Sequence, residues 1–374
     1  MLKQIINLVM EKKEGWYSRR KSRRILNNTG RISIDLKLVD RYREKWTRLG
    51  GRPWKAYLQI YGAVSGIWSE DYVPENIYYG RIEPTLNRKD FALAYADKNF
   101  YERYLPENRC LFPIVRLRGI NGKVYDPKYR LIEEPSAFLD LLEEGGELIL
   151  KPASESSGGK NVSLVKVGGG CFNIGGEAFN TSHFIRYLTV RYRNNFVLQD
   201  RIAQHPFYAR FNPESVNTVR IYTYRSVRDE SVHAIQAVLR FGQAGILVDN
   251  QAAGGRSIGI NSSGMLNAFS VDKWGCVNQE VAARENSDPS PVPGFEQMID
   301  EAKGIAGKYY FHRLLGFDFC YTATKEVKLL EINCKNIEIN FLQMNNGPLF
   351  GLFTDEVIEY CLHNRKTVIL DFHI

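Results

Sequence analysis

The segment GFDFCYTATKEVKLLEIN, residues 316–333, decides the fold to be expected of this chain. Two apolar stretches flank the polar run ATKE, residues 323–326, and this pattern predicts a β-hairpin that turns within that run. A turn centred there sets Asp318 directly opposite Glu331. Because side chains on a strand alternate between its two faces, Asn333 projects on the same side as Glu331. We therefore expect three oxygen donors to converge on one patch of a sheet.

Two interpretations of this patch are open from the hairpin alone. Like charges opposed across antiparallel strands destabilise the pair unless something neutralises them. Hard oxygen ligands suit Mg2+ rather than zinc. The first interpretation is therefore a magnesium site held by Asp318, Glu331 and Asn333, and the second is a pair of solvated acids on an outward face.

The composition is that of an ordinary globular protein. The chain has 374 residues, of which 44% are hydrophobic and 12% aromatic, enough for a large core in two or three lobes. Its six cysteines are scattered without metal-type spacing, so we expect reduced structural thiols in a reducing compartment. No stretch approaches the roughly 20 apolar residues that a spanning helix needs. We expect a cytoplasmic protein.

Positive charge is concentrated in the N-terminal arm. The formal net charge is +8, and residues 1–55 hold sixteen Lys and Arg against five Asp and Glu. Apolar residues over 2–9 have helical spacing, and the basic run RRKSRR, residues 19–24, follows. This pattern predicts peripheral contact with an anionic membrane, at its inner face, or with an acidic partner. A solvated helix that caps the fold is the alternative, and no nucleic-acid partner is expected because a base-reading module is missing.

Helical and strand patterns alternate along the rest of the chain, which predicts an α+β fold with mostly antiparallel sheets. We predict an N-terminal region over residues 1–85 and two lobes over 86–200 and 201–374. Helices are predicted over residues 90–105, which include Lys98, and over 182–189, 295–313 and 353–364. Strands are predicted over residues 109–119, on both sides of the loop in 146–167, and over 196–199, 219–224, 232–241 and the hairpin.

A glycine-rich loop lies between two of these predicted strands. Lys151 ends the apolar strand, Pro152 interrupts the ladder, and the serine- and glycine-rich segment 154–159 follows. The backbone amides of such a loop form a concave nest, and a cation beside it favours polyphosphate. An ordinary hairpin turn is the alternative for this loop alone. The patterns GxxxxGK[ST] and GxGxxG are both missing, so neither of those nucleotide folds is supported.

In order along the chain, Lys98, the segment KPASESSGGK (151–160), the segment VLQD (197–200) and the acidic hairpin resemble the ATP-grasp superfamily. The resemblance covers roughly residues 90–349. It implies two α+β lobes whose antiparallel sheets grip ATP, to which this chain adds a helical basic N-terminal extension. It also implies ATP and Mg2+ as cofactors.

The resemblance carries roles over to matching positions in this sequence. Two lysines would bind the nucleotide phosphates, a mobile loop would cover them, and a hinge would contact adenine. The acidic residue that usually binds the ribose is missing, and Gln204 or His205 would stand in for it. The phosphate, loop and hinge residues are Lys98, Lys151, Ser154, Ser157, Gly158, Gly159, Gln199, Asp200 and Ile202. The metal ligands are Asp318, Glu331 and Asn333.

Four further segments narrow the resemblance to the sugar-transfer associated branch of the superfamily. They are QDRIAQHP (199–206), SVNTVRIYTY (215–224), VDNQAAGG (248–255) and LLEINCKN (329–336). Members of that branch often accompany surface-polysaccharide pathways. The resemblance therefore implies a small-molecule or glycan-precursor substrate.

The activity implied is that of a ligase, which joins a carboxylate to an amine through an acyl phosphate. Arg220, Arg240 and Lys151 would stabilise the charge that develops during catalysis. The substrate would contact Asn217, Asn250, Gly254 and Gly255, although these residues also suit tight turns, and arginines on strands often form structural ion pairs. Two other functions stay open: an ATP-dependent kinase of a sugar or polyol hydroxyl, and a non-catalytic ATP-binding scaffold in glycan assembly.

Overall fold

The computed structural model describes residues 20–30, 32–133, 138, 142, 146–154, 159–193, 195–279 and 290–364. The apolar pattern at residues 2–9, the first arginine of the basic run, and Ser157 and Gly158 of the predicted phosphate loop lie outside these ranges. The described part has the predicted α+β architecture, with two seven-stranded sheets and helices packed against them. Every strand pair in both sheets is antiparallel.

Three helices open the described chain: α1 over residues 20–29, α2 over Leu36–Thr47 and α3 over Lys55–Ser65. The Asp35 side chain begins α2 by accepting a hydrogen bond from the backbone nitrogen of Lys37 at 3.0 Å. Gly66 ends α3 with a φ of 75°, a left-handed conformation that favours glycine. Short helical segments follow at Glu75–Ile77, Tyr78–Ile82 and Glu83–Leu86. Within the described ranges, no helix is long and apolar enough to cross a membrane.

The prediction of one helix over residues 90–105 was wrong. Helix α4 covers Lys89–Tyr95 and a separate short helix covers Tyr101–Tyr104. Between them, the Asp97 carboxylate accepts a hydrogen bond from the backbone nitrogen of Asn99 at 2.9 Å, and this turn interrupts the helix. Lys98 therefore lies in a turn.

The predicted strand over residues 109–119 begins later than expected. A 3-10 helix covers Pro106–Leu111, and the strand itself, β1, covers Val115–Ile120. Pro113 lies between the two elements. Proline has no backbone N–H to donate to a ladder, which is consistent with a strand that starts after it.

The first sheet has the strand order β2-β1-β7-β3-β4-β5-β6. The predicted strand, loop and strand over residues 146–167 form its centre and are confirmed as β3 and β4. Helix α5, Thr181–Tyr192, packs on this sheet through Phe184 and Leu188. The remaining strands are β2 Lys123–Tyr125, β3 Gly146–Pro152, β4 Ser163–Gly168, β5 Cys171–Ile174, β6 Glu177–Phe179 and β7 Phe196–Asp200.

The second sheet has the strand order β12-β11-β10-β9-β8-β13-β14. Its strands are β8 Thr218–Arg225, β9 Val232–Phe241, β10 Arg256–Ile260, β11 Leu266–Asp272, β12 Val277–Asn278, β13 Leu314–Tyr321 and β14 Val327–Asn333. The associated helices are α6 Phe295–Ala306, α7 Asn340–Asn346 and α8 Thr354–His363, with short turns at Pro206–Ala209, Gln251–Ala253 and Gly351–Phe353. Helix α6 ends at Ala306, earlier than the predicted residue 313, and Gly307 follows it as the C-cap residue.

The hairpin β13-β14 confirms the predicted opposition of Asp318 and Glu331. The turn is tighter than expected, with a hydrogen bond from the Lys325 backbone nitrogen to the Thr322 carbonyl oxygen at 2.9 Å. The register shifts by one residue between Asp318 and Phe319. This β-bulge restores the pairing that the sequence predicts around the two acids.

Buried residues form three cores. One core belongs to the first sheet and α5. The second sheet has a core on each face, and one of these contains α2, α3 and α8. The described N-terminal helices are therefore packed on the second lobe, while the predicted domain boundaries at residues 85 and 200 stay predictions.

Candidate functional site

Asp318 lies within β13, and Glu331 and Asn333 lie in the last part of β14. Asp318 is 5% exposed and forms a directly opposed pair with Glu331, so their β-carbons are expected about 4.5–5.5 Å apart. Asn333 lies opposite Gly316 and donates its side-chain nitrogen to the Gly316 carbonyl at 3.4 Å. Strand alternation places the three polar side chains on one face, as predicted.

Two arginines on the neighbouring strands bind Asp318. Arg220 of β8 is paired with Asp318 in the sheet, and its Nε donates to Oδ1 at 2.5 Å while Nη2 donates to Oδ2. Arg240 of β9 donates Nη1 to Asp318 Oδ2 at 3.2 Å and Nη2 to Asp249 Oδ1 at 3.1 Å. The Thr218 hydroxyl donates to the other Asp249 oxygen. The predicted catalytic arginines and a predicted metal ligand therefore form one buried charge network.

The two predicted phosphate lysines lie on the other side of this network. Lys98 Nζ donates to Glu331 Oε1 at 2.7 Å. Its backbone nitrogen donates to the Ala153 carbonyl at 2.9 Å, which ties the turn to the end of β3. Burial, together with the charge of Lys98, lowers the pKa of Lys151 to about 8. Two neighbouring cations, one buried and one half-buried, favour a polyanionic ligand.

Neighbouring cations favour the ionised form of both acids, of which Asp318 is buried and Glu331 is half-buried. Burial would raise the pKa of Asp318, but the charges of Arg220 and Arg240 outweigh it and hold the pKa below its usual range. Burial likewise opposes ionisation of Glu331, and the charge of Lys98 outweighs it, so this pKa is also lowered. Asp249 differs, because burial raises its pKa in spite of Arg240. Protein cations thus neutralise the two opposed acids.

The donor set fits Mg2+ in its chemistry. Mg2+ typically takes one or two carboxylates together with substrate phosphates and water. Asp318 and Glu331 supply two ionised carboxylates, and Asn333 supplies an amide oxygen. Among the described residues, no three His, Cys, Asp or Glu side chains gather into a metal-binding group. A magnesium ion here would depend on Asn333 and phosphate oxygens in addition to the two acids, and the site stays a prediction.

A cavity of about 1050 Å³ opens above this network. Arg220, Arg240, Glu331 and Asn333 line it, so the polar side chains of the hairpin and of its neighbouring strands face a common space. Ser154 of the predicted phosphate loop and Asn250 of the predicted substrate site line it as well. Lys160, which directly follows the loop, also lines it. Its volume is at the upper end of the range usual for a ligand site, about 300–1,000 Å³.

A second, much smaller crevice of about 10 Å³ lies beside Lys98. Gln199 of β7 lines one side of it, and Leu329 and Leu330 of β14 line another. It therefore lies where the two sheets meet, which is where the resemblance expects adenine. A space of this volume holds about one water molecule, so a purine ring requires the sheets to separate there.

Asp200 and Ile202 line neither space. Asp200 forms a bidentate ion pair with Arg116, with Nε to Oδ1 at 2.7 Å and Nη2 to Oδ2 at 3.1 Å. Its backbone nitrogen donates to the Ile114 carbonyl at 2.9 Å. Ile202 is half-buried in the segment that follows β7. The structure thus brings Gln199 alone, among these hinge residues, to the crevice.

Gln204 and Asn217 serve the fold in this structure. The Gln204 side-chain nitrogen donates to the carbonyls of Asn212 and Ser215, and its oxygen accepts from the Asn217 backbone nitrogen. Asn217 is fully buried, and its side chain donates to two carbonyls and accepts from the Ser215 hydroxyl. Neither residue lines the cavity, so their predicted ribose and substrate roles find no support in this geometry.

Gly254 and Gly255 form a tight turn, the structural alternative that the sequence left open. Gly254 has a φ of 95°. A β-carbon on Gly255 would lie 2.5 Å from the Asp249 carbonyl oxygen, too close for any other residue. Gly159 of the phosphate loop has a φ of 72°, and a β-carbon there would lie 2.5 Å from Asn250 Oδ1. The loop end therefore packs closely on Asn250.

Sequence reasoning missed two contributions, one to the charge network and one to the lining of the cavity. Asp249, the second partner of Arg240, comes one residue before Asn250, a predicted substrate residue. Its acidic side chain in the segment VDNQ was the one sign of this role in the sequence. Helix α1 and the turn at Lys273 and Trp274 also line the cavity. The basic run was recognised as a feature, but a sequence does not show which distant turn a helix contacts.

Residues 79–356 match the sequence model described as sugar-transfer associated ATP-grasp. No curated protein matches the chain. The solved structure of ATP-grasp ligase PsnB with a minimal precursor has 16% identity and a TM-score of 0.39, over 74% of this chain and 63% of that one. N5-carboxyaminoimidazole synthetase from Staphylococcus aureus with ADP has 10% identity and a TM-score of 0.39, over 74% and 53%.

Proposed function

The chain belongs to the sugar-transfer associated ATP-grasp family, and from this membership we propose that it is an ATP- and Mg2+-dependent carboxylate-amine ligase. Family membership supports ATP binding and ligase chemistry in general. The specific proposal is that an acid is activated as an acyl phosphate and joined to an amine, with a sugar or polysaccharide precursor as one of the two substrates. The observation that carries it is the charge network of Asp318, Arg220, Arg240, Glu331 and Lys98 beneath one large cavity.

The proposed reaction has two steps. A carboxylate oxygen of the acid attacks the γ-phosphorus of ATP, the bond from that phosphorus to the β,γ-bridging oxygen breaks, and ADP leaves. The amine then attacks the acyl carbon, the bond from that carbon to the phosphate oxygen breaks, and inorganic phosphate leaves. The amine gives up one proton as the amide forms. One oxygen of the original carboxylate therefore ends in the phosphate.

The residues of the network supply positioning and charge for these steps. Arg220 and Arg240 line the cavity and would bind the acid and the oxyanion that forms at its carbon. Lys98 and Lys151 would bind the phosphates. Asp318, Glu331 and Asn333 would hold Mg2+, which offsets charge on the transferred phosphoryl group when it is bound. This requires the arginines and Lys98 to exchange carboxylate partners for ligand oxygens.

An oxygen-18 experiment separates this proposal from the alternatives. Wild-type protein receives Mg-ATP, a panel of carboxylic acids labelled with oxygen-18 in the carboxylate, and hydroxylamine as a general amine. A parallel reaction contains Mg-ATP and a panel of sugars and polyols. We expect ADP, a hydroxamate and inorganic phosphate that carries one labelled oxygen. A phosphorylated acceptor without labelled phosphate would instead identify a kinase of a hydroxyl group, and nucleotide binding without ADP formation across the panel would favour the scaffold.

A further inference from the structure

The outer part of the cavity carries cationic side chains beyond those of the inner network. Eight Lys and Arg residues line the cavity against two Glu residues. Arg220 and Arg240 belong to the inner network described above. The six others form an outer basic rim, which consists of Arg20, Lys21, Arg24, Lys160, Lys273 and Lys335.

Half of this basic rim comes from α1, which lies outside the part of the chain that matches the family. The match begins at residue 79, whereas Arg20, Lys21 and Arg24 lie at residues 20–24. Nucleotide binding common to the family therefore does not account for them. Because α1 lies outside the family match and lines the same cavity, we look to the substrate other than ATP as its ligand.

Helix α1 is docked against the cavity by specific contacts. Ile25 is 2% exposed, and a β-carbon on Gly275 would lie 2.8 Å from its Cγ2 atom. The Asn28 side-chain nitrogen donates to the Trp274 carbonyl at 3.1 Å. The Arg24 guanidinium carbon lies 3.5 Å from the centre of the Trp274 ring, a cation-π contact. The basic face of α1 is thus held in place over the cavity.

The turn that meets α1 is also fixed. The Asp272 carboxylate accepts hydrogen bonds from the backbone nitrogens of Trp274 at 2.8 Å and Cys276 at 2.9 Å. Lys273, on the same turn, donates Nζ to the Ala252 carbonyl at 3.1 Å and lies 5.1 Å from the Trp274 ring centre. Cations from two separate elements therefore flank one aromatic side chain at the rim.

We propose that this basic rim binds a phosphate-type polyanion on the substrate other than ATP, with Arg24 and Lys273 as specificity-determining residues. The proposal rests on the proposed function, because it assigns that substrate's charged group to the outer cavity. The cavity, at about 1050 Å³, is at the upper end of the volumes usual for ligand sites, which are about 300–1,000 Å³. Several cations that converge from different elements suit a group with several negative oxygens, such as a diphosphate. That group can belong to a soluble molecule or to a lipid-linked one.

The test uses the full chain and inorganic pyrophosphate as the probe. A saturating amount of Mg2+ and a non-hydrolysable ATP analogue first occupies the nucleotide site, and pyrophosphate is then titrated by calorimetry. The test variant is Arg24→Gln with Lys273→Gln. The control variant is Arg23→Gln with Lys37→Gln, which removes the same charge from two exposed residues, neither of which lines the cavity.

We expect wild type and the control to bind pyrophosphate with affinities within about twofold of each other, and the test variant to bind roughly tenfold or more weakly. Absence of pyrophosphate binding to wild type that carries the ATP analogue would overturn the proposal, as would equal weakening in test and control. Failure of the analogue itself to bind would instead count against the proposed function. Analogue binding by both variants shows that they are folded.

A flotation experiment with vesicles that contain anionic phospholipid distinguishes a membrane role for the arm. An anionic membrane attracts basic side chains without requiring the contacts of the cavity. A membrane role would therefore weaken the vesicle binding of the test and control variants alike. Vesicle binding that both variants lose equally, without any difference in pyrophosphate affinity, would assign the basic residues to a membrane and overturn the proposal. Loss of both kinds of binding in the test variant alone would support it and point to a lipid-linked diphosphate.

Discussion

Lys151 should take up a proton when nucleotide binds at alkaline pH. Burial and the charge of Lys98 lower its pKa from 10.5 to about 8 in the free protein. At about 1.4 kcal/mol per pKa unit, this corresponds to roughly 3.5 kcal/mol against the charged form. A triphosphate beside Lys151 favours the charged form and raises the pKa again. Nucleotide binding and proton uptake are therefore coupled.

The size of the effect follows from the two protonation states. At pH 9 the free side chain is about one-tenth protonated, and in a complex that restores the usual pKa it is almost fully protonated, so uptake is about 0.9 proton. At pH 7 the free side chain is already about nine-tenths protonated, and its uptake falls to about 0.1 proton. Calorimetry of ATP binding in two buffers of different ionisation enthalpy measures this number at each pH.

A Lys151→Arg variant is the matched control, because arginine stays charged throughout this range. Its proton uptake at pH 9 should be near zero. If wild type takes up no proton at pH 9, or takes up as much as the variant, the assignment of Lys151 to the phosphates is refuted. Without nucleotide, the sign is fixed by linkage: the folded state loses this proton near pH 8 and the unfolded state near pH 10.5, so this group increases stability as pH rises between them.

Three substitutions test other parts of the site and the fold that supports it. Glu331→Gln should weaken Mg-ATP binding by roughly tenfold or more, because it removes a carboxylate from the metal set, while Glu326→Gln, exposed at the hairpin turn, should leave it unchanged. Gly255→Ala should lower stability by about 1–3 kcal/mol in a denaturant melt because of its backbone contacts, and Gly304→Ala, with open space around it in α6, should not. Leu330→Trp should fill the small crevice and weaken ATP binding, whereas Leu330→Met should not.

Each of these comparisons has an opposite outcome that would count against its premise. Equal Mg-ATP affinity in Glu331→Gln and wild type would remove Glu331 from the metal set. A Gly255→Ala protein as stable as wild type would mean that the turn relaxes easily. Unchanged ATP affinity in Leu330→Trp would place adenine outside the crevice between the sheets.

The sequence predicted the hairpin well because its information is local. Alternation of side chains and the position of the turn were enough to oppose Asp318 and Glu331, and the structure confirms that pairing. The β-bulge beside Asp318 changes the pairing of the residues between the acids and the turn, and it leaves the two acids opposed as predicted. The strands on both sides of the phosphate loop were predicted for the same reason, from apolar runs bounded by glycine, serine and proline.

Non-local contacts were harder to predict. Arg220 was recognised as a candidate, but its bidentate pairing with Asp318 depends on β8 lying next to β13, which are far apart in sequence. Asn217 carries the same polar groups whether it binds substrate or organises a loop, and only its complete burial assigns it to the loop. The prediction placed Lys98 on a helix. It was wrong because the turn that interrupts the helix depends on one side-chain hydrogen bond of Asp97, which the residue pattern does not show.

Magnesium dependence of ATP binding tests the central claim most directly. Calorimetry compares ATP affinity with and without Mg2+ in wild type and in Asp318→Asn, after circular dichroism verifies that the variant is folded. The variant leaves two buried arginines short of a carboxylate, a loss of about 3–5 kcal/mol in stability. We predict that Mg2+ increases the affinity of wild type by roughly tenfold or more and has little effect on that of the variant. Equal ATP affinity of wild type with and without Mg2+ would contradict a metal site on the hairpin.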